Sequence, residues 1–373
     1  MANNYAIIIG INFYQRHPER RLKYAVKDAQ LMHNFLCNYA QFPRNNIILC
    51  LGDELHRDSE HYPLCSNILG LLTQDLHPEC IGKVDRFWFF FAGHGISKNG
   101  RDYLITSDSL IKDTDLRIAL PLDEIIACLR QHRDAEIVLI LDSCRQIVGS
   151  RDFGDSVGEE TIKLAQNRGI TTIFSCDYGQ FSHELDNQKN GSFTYSLVEG
   201  LKQYTLPVQL EKFLQKNVHK LNIKDGKSSS QTPIIRVESA SKAHYPLLPE
   251  CATEADIDEM IRLATNEELD NSFEKARNLW WKVIETSRSE KLVMRGRKAL
   301  ERLEEKNNQV TANLPIVDGE NQKNKKLVRL KPINTPIKDF IDVNPDDWAK
   351  KQRVGSQSLW DKIISFIFDE KDL

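Results

Sequence analysis

The sequence predicts an α/β protein with a mostly parallel central sheet between two layers of helices, followed by a small all-α region. Two observations lead to this fold class. The apolar runs in 84–91 (VDRFWFFF) and 136–145 (EIVLILDSCR) lack the alternation of a half-exposed strand, which is typical of strands buried on both faces. Up to about residue 243, such runs alternate with segments of helical periodicity, which indicates a three-layer α/β/α arrangement.

Strands are predicted where short apolar or aromatic runs are bounded by turn residues. Gly10 and Asn12, for example, can begin the turn after the first strand. The predicted strands are Tyr5–Gly10, Asn46–Leu51, Val84–Phe91, Tyr103–Thr106, Glu136–Leu141, Ile170–Ser175 and Pro233–Val237.

Helices are predicted where apolar residues recur every three or four positions. In the first of them, Ala25, Val26 and Ala29 share one face. Pro121 suits the start of another, because the missing proline N–H costs little there. The predicted helices are Leu22–Tyr39, Leu64–Leu76, Pro121–Leu129, Phe193–Leu201 and Val208–Leu221.

The chain is predicted to divide after a main domain at 1–245. A small helical domain at 250–306 follows, since only helical periodicity remains there. The segment 307–345 is polar, rich in lysine and carries four prolines, which favours a flexible tether. Residues 346–373 contain the apolar stretch LWDKIISFIF, which predicts a terminal amphipathic helix that docks on protein.

Composition excludes several classes of function. The 373-residue chain has a net charge of −3, so we expect no nucleic-acid partner. No apolar run reaches the 18 or so residues that span a bilayer, and no signal sequence is recognised, so we expect a cytoplasmic protein without a membrane partner. The eight cysteines form no CxxC pair and no metal-ligand spacing with histidine, which indicates reduced thiols and no metal site.

Two reactive side chains follow the predicted strands at 84–91 and 136–141. His94 lies between two glycines and Cys144 follows Asp142-Ser143. Each alone is more often a buried structural residue. Because the carboxyl ends of parallel strands meet at one edge, the two are expected to form a Cys–His dyad for acyl transfer, without a required cofactor. Backbone N–H groups of Gly95 and Cys144 are the candidate oxyanion hole.

These residues lie in motifs that resemble the caspase-like cysteine peptidases, most closely their metacaspase and bacterial orthocaspase branch. The YAIIIGIN opening, the FAGHG stretch at 91–95 and the LDSC stretch at 141–144 carry the resemblance. Further matches are the helix start LKYAVKDA at 22–29, FSCD with Gln180, and GSFT at 191–194. The opening and these five motifs, in the right order, cover about residues 4–240 and imply the caspase-like fold.

The resemblance implies a peptidase that cleaves after Arg or Lys. The positions matching the pocket aspartates of the branch are Asp28 and Asp142, and two carboxylates favour a cationic side chain. The alternatives are an exposed charge on a helix face for Asp28 and a turn cap for Asp142. The chain departs from the family at Ala25, at Ala92 and after Cys144, where Arg145 follows, so the rim of the site is expected to differ.

Three features of the sequence bear on how the protein is regulated. The resemblance implies calcium as a possible activator, at Asp108, Asp123 and Asp152, although scattered surface carboxylates explain these three equally well. The glycine-rich and charged segment 150–166 after the nucleophile has the composition of a gating loop. The region 250–373 is expected to bind a regulatory protein or the peptidase domain itself.

Two other functions stay open. A catalytically silent caspase-like scaffold would act as a binding protein through its helical C-terminal region. Another Cys–His acyl-transfer enzyme would act on bonds other than peptide bonds. The presence of both His94 and Cys144 favours the peptidase over the scaffold, and the candidate pocket carboxylates favour it over the second alternative.

Overall fold

A six-stranded sheet forms the centre of the structure. The structure is a computed structural model, and it describes residues 2–98, 100–110, 116, 118–143, 159–177, 179–227 and 230–312. Residues 3–312 form one compact unit. The strands are β1 (Asn4–Ile11), β2 (Ile47–Gly52), β3 (Arg86–Ala92), β4 (Gly95–Lys98), β5 (Arg101–Leu104), β6 (Leu120–Pro121), β7 (Glu136–Asp142), β8 (Ile170–Phe174), β9 (Glu184–Leu185), β10 (Asn190–Gly191) and β11 (Ile234–Arg236).

Ten α-helices accompany these strands in the described residues. They are α1 (Ala25–Asn38), α2 (Cys65–Gly70), α3 (Pro78–Ile81), α4 (Leu122–Leu129), α5 (Glu159–Asn167), α6 (Ser192–Leu201), α7 (Pro207–Lys224), α8 (Glu254–Leu269), α9 (Phe273–Thr286) and α10 (Glu290–Ala312). The predicted helix at 64–76 is α2 followed by a π-helical turn, Leu71–Asp75.

The central sheet has the order β2-β1-β3-β7-β8-β11 and is parallel except for β11, which runs antiparallel to β8. The predicted mostly parallel α/β fold is thereby confirmed. In the register of the sheet, Gly10 is opposite Ala92, and Ala92 is opposite Asp142. Three neighbouring strands therefore end level with one another, which places the residues after β3 beside those after β7.

The central strands are apolar throughout because helices cover both faces. On one face Phe87, Phe89 and Phe91 of β3 pack in a cluster with residues of α4. On the other face Trp88 and Phe90 pack in a cluster with residues of α1, α6 and α7. All five aromatic side chains are at most 1% exposed, which explains why the run does not alternate.

Helix α1 begins three residues later than predicted. The backbone N–H groups of Lys23 and Tyr24 donate to Glu184 Oε1, at 2.8 and 2.7 Å, and Asn12 Oδ1 accepts the N–H of Val26 at 3.0 Å. A carboxylate from a distant loop and an amide from the turn after β1 thus satisfy the exposed donors at the helix start. Apolar periodicity could not reveal this, since Leu22 also packs against the core.

The helices α8, α9 and α10 enclose a core of their own that includes Trp280, 2% exposed. Leu206, from the segment before α7, lies in this same core at 0% exposed. Helix α10 continues to Ala312, beyond the predicted boundary at 306, and the rest of the predicted tether and the terminal helix lie outside the described residues. Among the described helices, none has the length and apolar character needed to cross a membrane.

Candidate active site

The site lies where β3 and β7 end. His94 follows β3 by two residues, and Ser143 follows β7 directly. The predicted nucleophile, Cys144, lies outside the described residues, so its distance to His94 stays a prediction. The structure places His94, Asp28 and Asp142 around one pocket, whose lining residues are Leu22, Ala25, Asp28, Ala92, Gly93, His94, Asp142, Ser143, Ser182, His183, Glu184 and Gly191.

The imidazole of His94 is oriented by a backbone carbonyl. Its Nε2 lies 2.7 Å from the carbonyl oxygen of Arg20. A carbonyl can only accept a hydrogen bond, so Nε2 carries the hydrogen and Nδ1 is the nitrogen that can take up a proton. Burial lowers the pKa of His94, while the hydrogen bond to the Arg20 carbonyl acts in the opposite direction. The ring is therefore available as a neutral base.

Tyr14 also holds His94, although no sequence motif had drawn attention to it. Its hydroxyl accepts the backbone N–H of His94 at 2.9 Å and donates to the carbonyl of Ile11 at 3.3 Å. The two rings lie 4.9 Å apart. Tyr14 is 1% exposed, and a Cβ on Gly93 would come within 3.0 Å of its hydroxyl. The same Cβ would lie 2.7 Å from the ring of Phe91, so only glycine fits before the histidine without a shift of these neighbours.

Asp28 is buried at 3% exposed, so the alternative of an exposed helix-face charge is wrong. It lies in the first turn of α1, and its carboxylate accepts the N–H of Gly191 at 2.9 and 3.0 Å and the side-chain amide of Asn190 at 3.0 Å. The short pair β9–β10 brings these donors to the pocket. The helical periodicity places Asp28 among apolar neighbours on α1. Its burial is explained by the hydrogen bonds from Gly191 and Asn190.

Asp142 ends β7 and is 7% exposed. Its two oxygens accept the hydroxyls of Ser182 and Thr194, each at 2.6 Å. A Cβ on Gly191 would lie 2.9 Å from Asp142 Oδ2 and 3.0 Å from Asp28 Oδ2. The absence of a side chain at Gly191 therefore leaves space between the two carboxylates at the floor of the pocket.

A negative charge on either of the two carboxyl groups makes ionisation of the other less favourable. Burial raises the pKa of Asp28 well above its ordinary value, and the charge of Asp142 raises it further. Burial also raises the pKa of Asp142, but hydrogen bonds from Ser182, Thr194 and Ser175 oppose this. Asp142 receives more opposing hydrogen bonds than Asp28, so the surroundings favour the neutral form more strongly for Asp28 than for Asp142.

The loop Ser182–Glu184 forms a wall of the pocket that sequence reasoning missed. Ser182 binds Asp142, and Glu184 caps α1 as described above. The Nε2 atom of His183 has no hydrogen-bond partner among the residues that the structure describes, and burial lowers the pKa of its ring. The loop lies only two residues after the Gln180 motif, but nothing in its own composition signals a pocket.

Gly95, the described half of the predicted oxyanion hole, begins β4. The register pairs Gly95 with Leu104, while the N–H of Ile105 donates to the carbonyl of His94. Hydrogen-bonded and non-hydrogen-bonded pairs alternate in an antiparallel ladder, so the Gly95 N–H points away from β5. This orientation is compatible with an oxyanion donor, a role that stays a prediction.

The carboxylates matched to calcium have other partners. Asp108 accepts the N–H of Cys65 and the hydroxyl of Thr106, at 3.0 and 2.8 Å, and Asp123 pairs with Arg101 at 2.9 Å. Asp152 lies outside the described residues. No group of three or more metal-ligating side chains occurs in the described part of the chain. The described donors thus do not fit a calcium site, and activation by calcium stays a prediction.

Comparison with known proteins shows the family of the chain. The family described as Peptidase_C14, caspase domain, matches residues 3–245, well over half of the chain. Among solved structures, the chain is similar to caspase-1 from Spodoptera frugiperda, with 13% identity, a TM-score of 0.41, and coverage of 64% of this chain and 87% of that chain. Comparison with curated proteins gave no match. On the family match, the chain belongs to the caspase-domain family of cysteine peptidases.

Proposed function

We propose that the protein is a cysteine endopeptidase of the metacaspase and orthocaspase branch that cleaves peptide bonds after Arg or Lys. The single observation that supports this best is the pocket beside His94 whose floor carries Asp28 and Asp142. In the proposed reaction, His94 takes the proton of the Cys144 thiol, and the thiolate attacks the carbonyl carbon of the scissile bond. His94 then protonates the leaving amine, and water releases the acyl group.

The charge of the pocket supports a basic residue before the cleaved bond. A guanidinium or ammonium group entering between Asp28 and Asp142 would be paired with a buried carboxylate, whereas an acidic side chain would meet like charge in a desolvated space. The planar fork of donors on Arg can bind a carboxylate through two hydrogen bonds. An entering cation would favour the charged form of Asp28 and so lower its pKa.

The test uses matched fluorogenic peptides that differ only in the residue before the reporter: Arg, Lys, Asp, or citrulline as the neutral shape of Arg. We expect release from the Arg and Lys peptides, no release from the citrulline and Asp peptides, and complete loss of release in Cys144→Ala and His94→Ala. Cleavage of the Asp peptide would contradict the assigned pocket. Release that survives Cys144→Ala would contradict the assigned nucleophile.

Regulation and location belong to the same proposal. We infer that the segment 150–166, the region 250–373 or a protein partner gates the site, and that the protein works in the cytoplasm. The seven cysteines in the described part of the chain are all free, which supports a reducing compartment. Assays with and without calcium test the activator. If no peptide is cleaved under any condition, an Arg-directed thiol probe that fails to label Cys144 would support the scaffold alternative.

A further inference from the structure

Gln231 precedes β11 and is buried, at 2% exposed, behind the pocket wall. Its Oε1 accepts three hydrogen bonds, from the backbone N–H of His183 at 3.1 Å, the hydroxyl of Ser192 at 2.7 Å and the amide of Asn222 at 3.0 Å. Its Nε2 donates to the carbonyl of Ser175 and to Ser182 Oγ, both at 3.1 Å. One side chain thus connects α6, α7, the residue after β8 and the loop Ser182–Glu184.

The orientation of this amide is fixed by its backbone partners. The His183 N–H can only donate, so the atom facing it must be the amide oxygen. The Ser175 carbonyl can only accept, so the atom facing it must be the amide nitrogen. Ser182 Oγ therefore receives a hydrogen from Gln231 and cannot donate to it.

This arrangement determines where the Ser182 hydroxyl points. Because Nε2 of Gln231 has no lone pair to offer, the hydrogen of Ser182 is directed to Asp142 Oδ1, 2.6 Å away. Thr194 supplies the second hydroxyl, to Oδ2 at 2.6 Å. Hydrogen bonds to an ionised carboxylate are about twice as strong as those between neutral groups, so both donors favour the charged form of Asp142.

We propose that Gln231 is a positioning residue of the pocket for basic side chains, which directs the Ser182 hydroxyl toward Asp142 and so keeps a negative charge at the pocket floor. The inference rests on the proposed function and deepens it, because it assigns affinity for Arg and Lys to a residue about ninety positions after Asp142 in the chain. Gln231 itself does not line the pocket. The proposed effect on the substrate passes through Ser182, which lines the pocket and binds Asp142.

The first variant is Gln231→Glu, which keeps the shape and the accepting oxygen but replaces the donor by an acceptor. The Ser182 hydroxyl then turns to the new carboxylate and leaves Asp142. We expect KM for the Arg peptide to rise about tenfold, with kcat within about threefold of wild type. A simple electrostatic effect of the added negative charge would lower KM for a cation, so the sign of the change separates the two explanations.

The second variant, Ser182→Ala, tests the route of the effect. It removes the hydroxyl itself, so KM for the Arg peptide should rise by a similar factor. The double variant Gln231→Glu/Ser182→Ala should then have the KM of Ser182→Ala alone, because Gln231 has nothing left to direct. Independent, multiplying effects would overturn the proposal. An unchanged KM in Ser182→Ala would overturn it as well, even if Gln231→Glu failed to fold.

Gln166→Glu is the matched control. The amide of Gln166 donates to the carbonyl of Val237 at 2.9 Å, so this variant also loses a bond to the segment around β11 and gains a carboxylate, but away from the pocket. We expect lower thermal stability with unchanged KM. A KM increase equal to that of Gln231→Glu would show that general loosening of the fold causes the effect, and would overturn the proposal.

A binding measurement separates failure of the inference from failure of the proposed function. Agmatine, which carries the guanidinium of Arg, is titrated calorimetrically into full-length Cys144→Ala with and without Gln231→Glu. Binding weakened about tenfold by Gln231→Glu would support the inference even if no peptide is ever cleaved. Equal binding by both proteins would overturn it while leaving peptidase activity standing. Absence of agmatine binding by either protein would overturn the proposed cation-binding pocket and the inference together.

Discussion

At the residue scale, the burial of Asp28 is unfavourable for stability, and the proposed function gives this burial a role in binding a cation. Its carboxyl is surrounded by protein, and its pKa is raised by burial and by Asp142. The backbone N–H of Gly191 and the amide of Asn190 only partly replace the lost water. Under the proposed function, a cationic side chain would supply the missing counter-charge.

The first prediction concerns Asp28→Asn. Because the pKa of Asp28 in the folded state lies above that of the unfolded chain, the wild type loses stability as pH rises through this interval. The variant lacks this loss, so we expect it to unfold at a higher temperature than wild type at pH 8, with the difference shrinking toward pH 5. Calorimetry at the two pH values measures this, and a difference that grows on acidification would contradict it.

The same substitution has an opposite effect on recognition. We expect KM for the Arg peptide to rise about tenfold or more in Asp28→Asn, because a charged partner of the guanidinium is lost. Binding of agmatine should also release fewer protons, as judged from titrations in buffers with different ionisation enthalpies. Unchanged proton release would show that Asp28 does not carry the exchangeable proton.

Tyr14→Phe gives the second prediction. The variant keeps the aromatic ring beside His94. It loses the hydroxyl that accepts the backbone N–H of His94 and donates to the carbonyl of Ile11. We expect kcat to fall about threefold to tenfold with little change in KM, and the free energy of unfolding to fall by about 1 kcal/mol. Tyr62→Phe is the control, since the buried Tyr62 hydroxyl has no partner among the described residues, and it should leave kcat unchanged.

At the element scale, the attachment of α8 depends on a buried carboxylate. Asp256 is 0% exposed and accepts the N–H and hydroxyl of Thr205, from the segment before α7, at 2.9–3.1 Å. It also accepts the N–H of Thr253 at 2.9 Å and completes a capping box at the start of α8. One side chain thus begins this helix and fixes it to the peptidase domain.

Asp256→Asn is the third prediction. An amide would place two hydrogens among groups that already donate, so we expect the free energy of unfolding to fall by about 2 kcal/mol in urea titrations. Asp258→Asn makes the same chemical change on the exposed side of α8 and should cost little. Equal losses in the two variants would mean that the contacts of Asp256 are not what stabilises the junction.

At the scale of the whole molecule, the family match ends at residue 245, but residues beyond it pack against the matched domain. Leu206 is covered by the core of α8 to α10, and Arg86, from the first position of β3, pairs with Glu250 at 2.6 Å. Arg288 in turn donates to the Glu250 carbonyl at 2.7 Å. The helical region is therefore joined to the peptidase domain by apolar and polar contacts.

The fourth prediction follows from this junction. A chain cut after Tyr245 exposes the apolar surface around Leu206, so we expect it to unfold about 5 °C or more below a chain cut after Ala312. Differential scanning calorimetry of the two truncations, with full-length protein alongside, measures the difference. Equal melting temperatures would identify residues 246–312 as an energetically independent unit.

The sequence by itself determined which strands are buried on both faces and at which end of these strands the reactive residues lie. Unbroken apolar runs require cover on both faces, and this local signal survives in any arrangement of the helices. The position of FAGHG and LDSC at the ends of two such runs predicted that His94 and the end of β7 lie at one edge, because parallel strands share a direction. The pairing of Ala92 with Asp142 agrees with that expectation.

Only the tertiary structure decided how the pocket is built. Asp28, Asp142, Ser182, Gly191 and Gln231 span about two hundred residues of chain, and periodicity describes each one's immediate neighbours but not its distant partners. Whether a buried carboxyl keeps its charge depends on those partners, through the hydroxyls it accepts and the neighbouring charge it faces. The start of α1 at Ala25 has the same origin, since Glu184 caps it from 160 positions away.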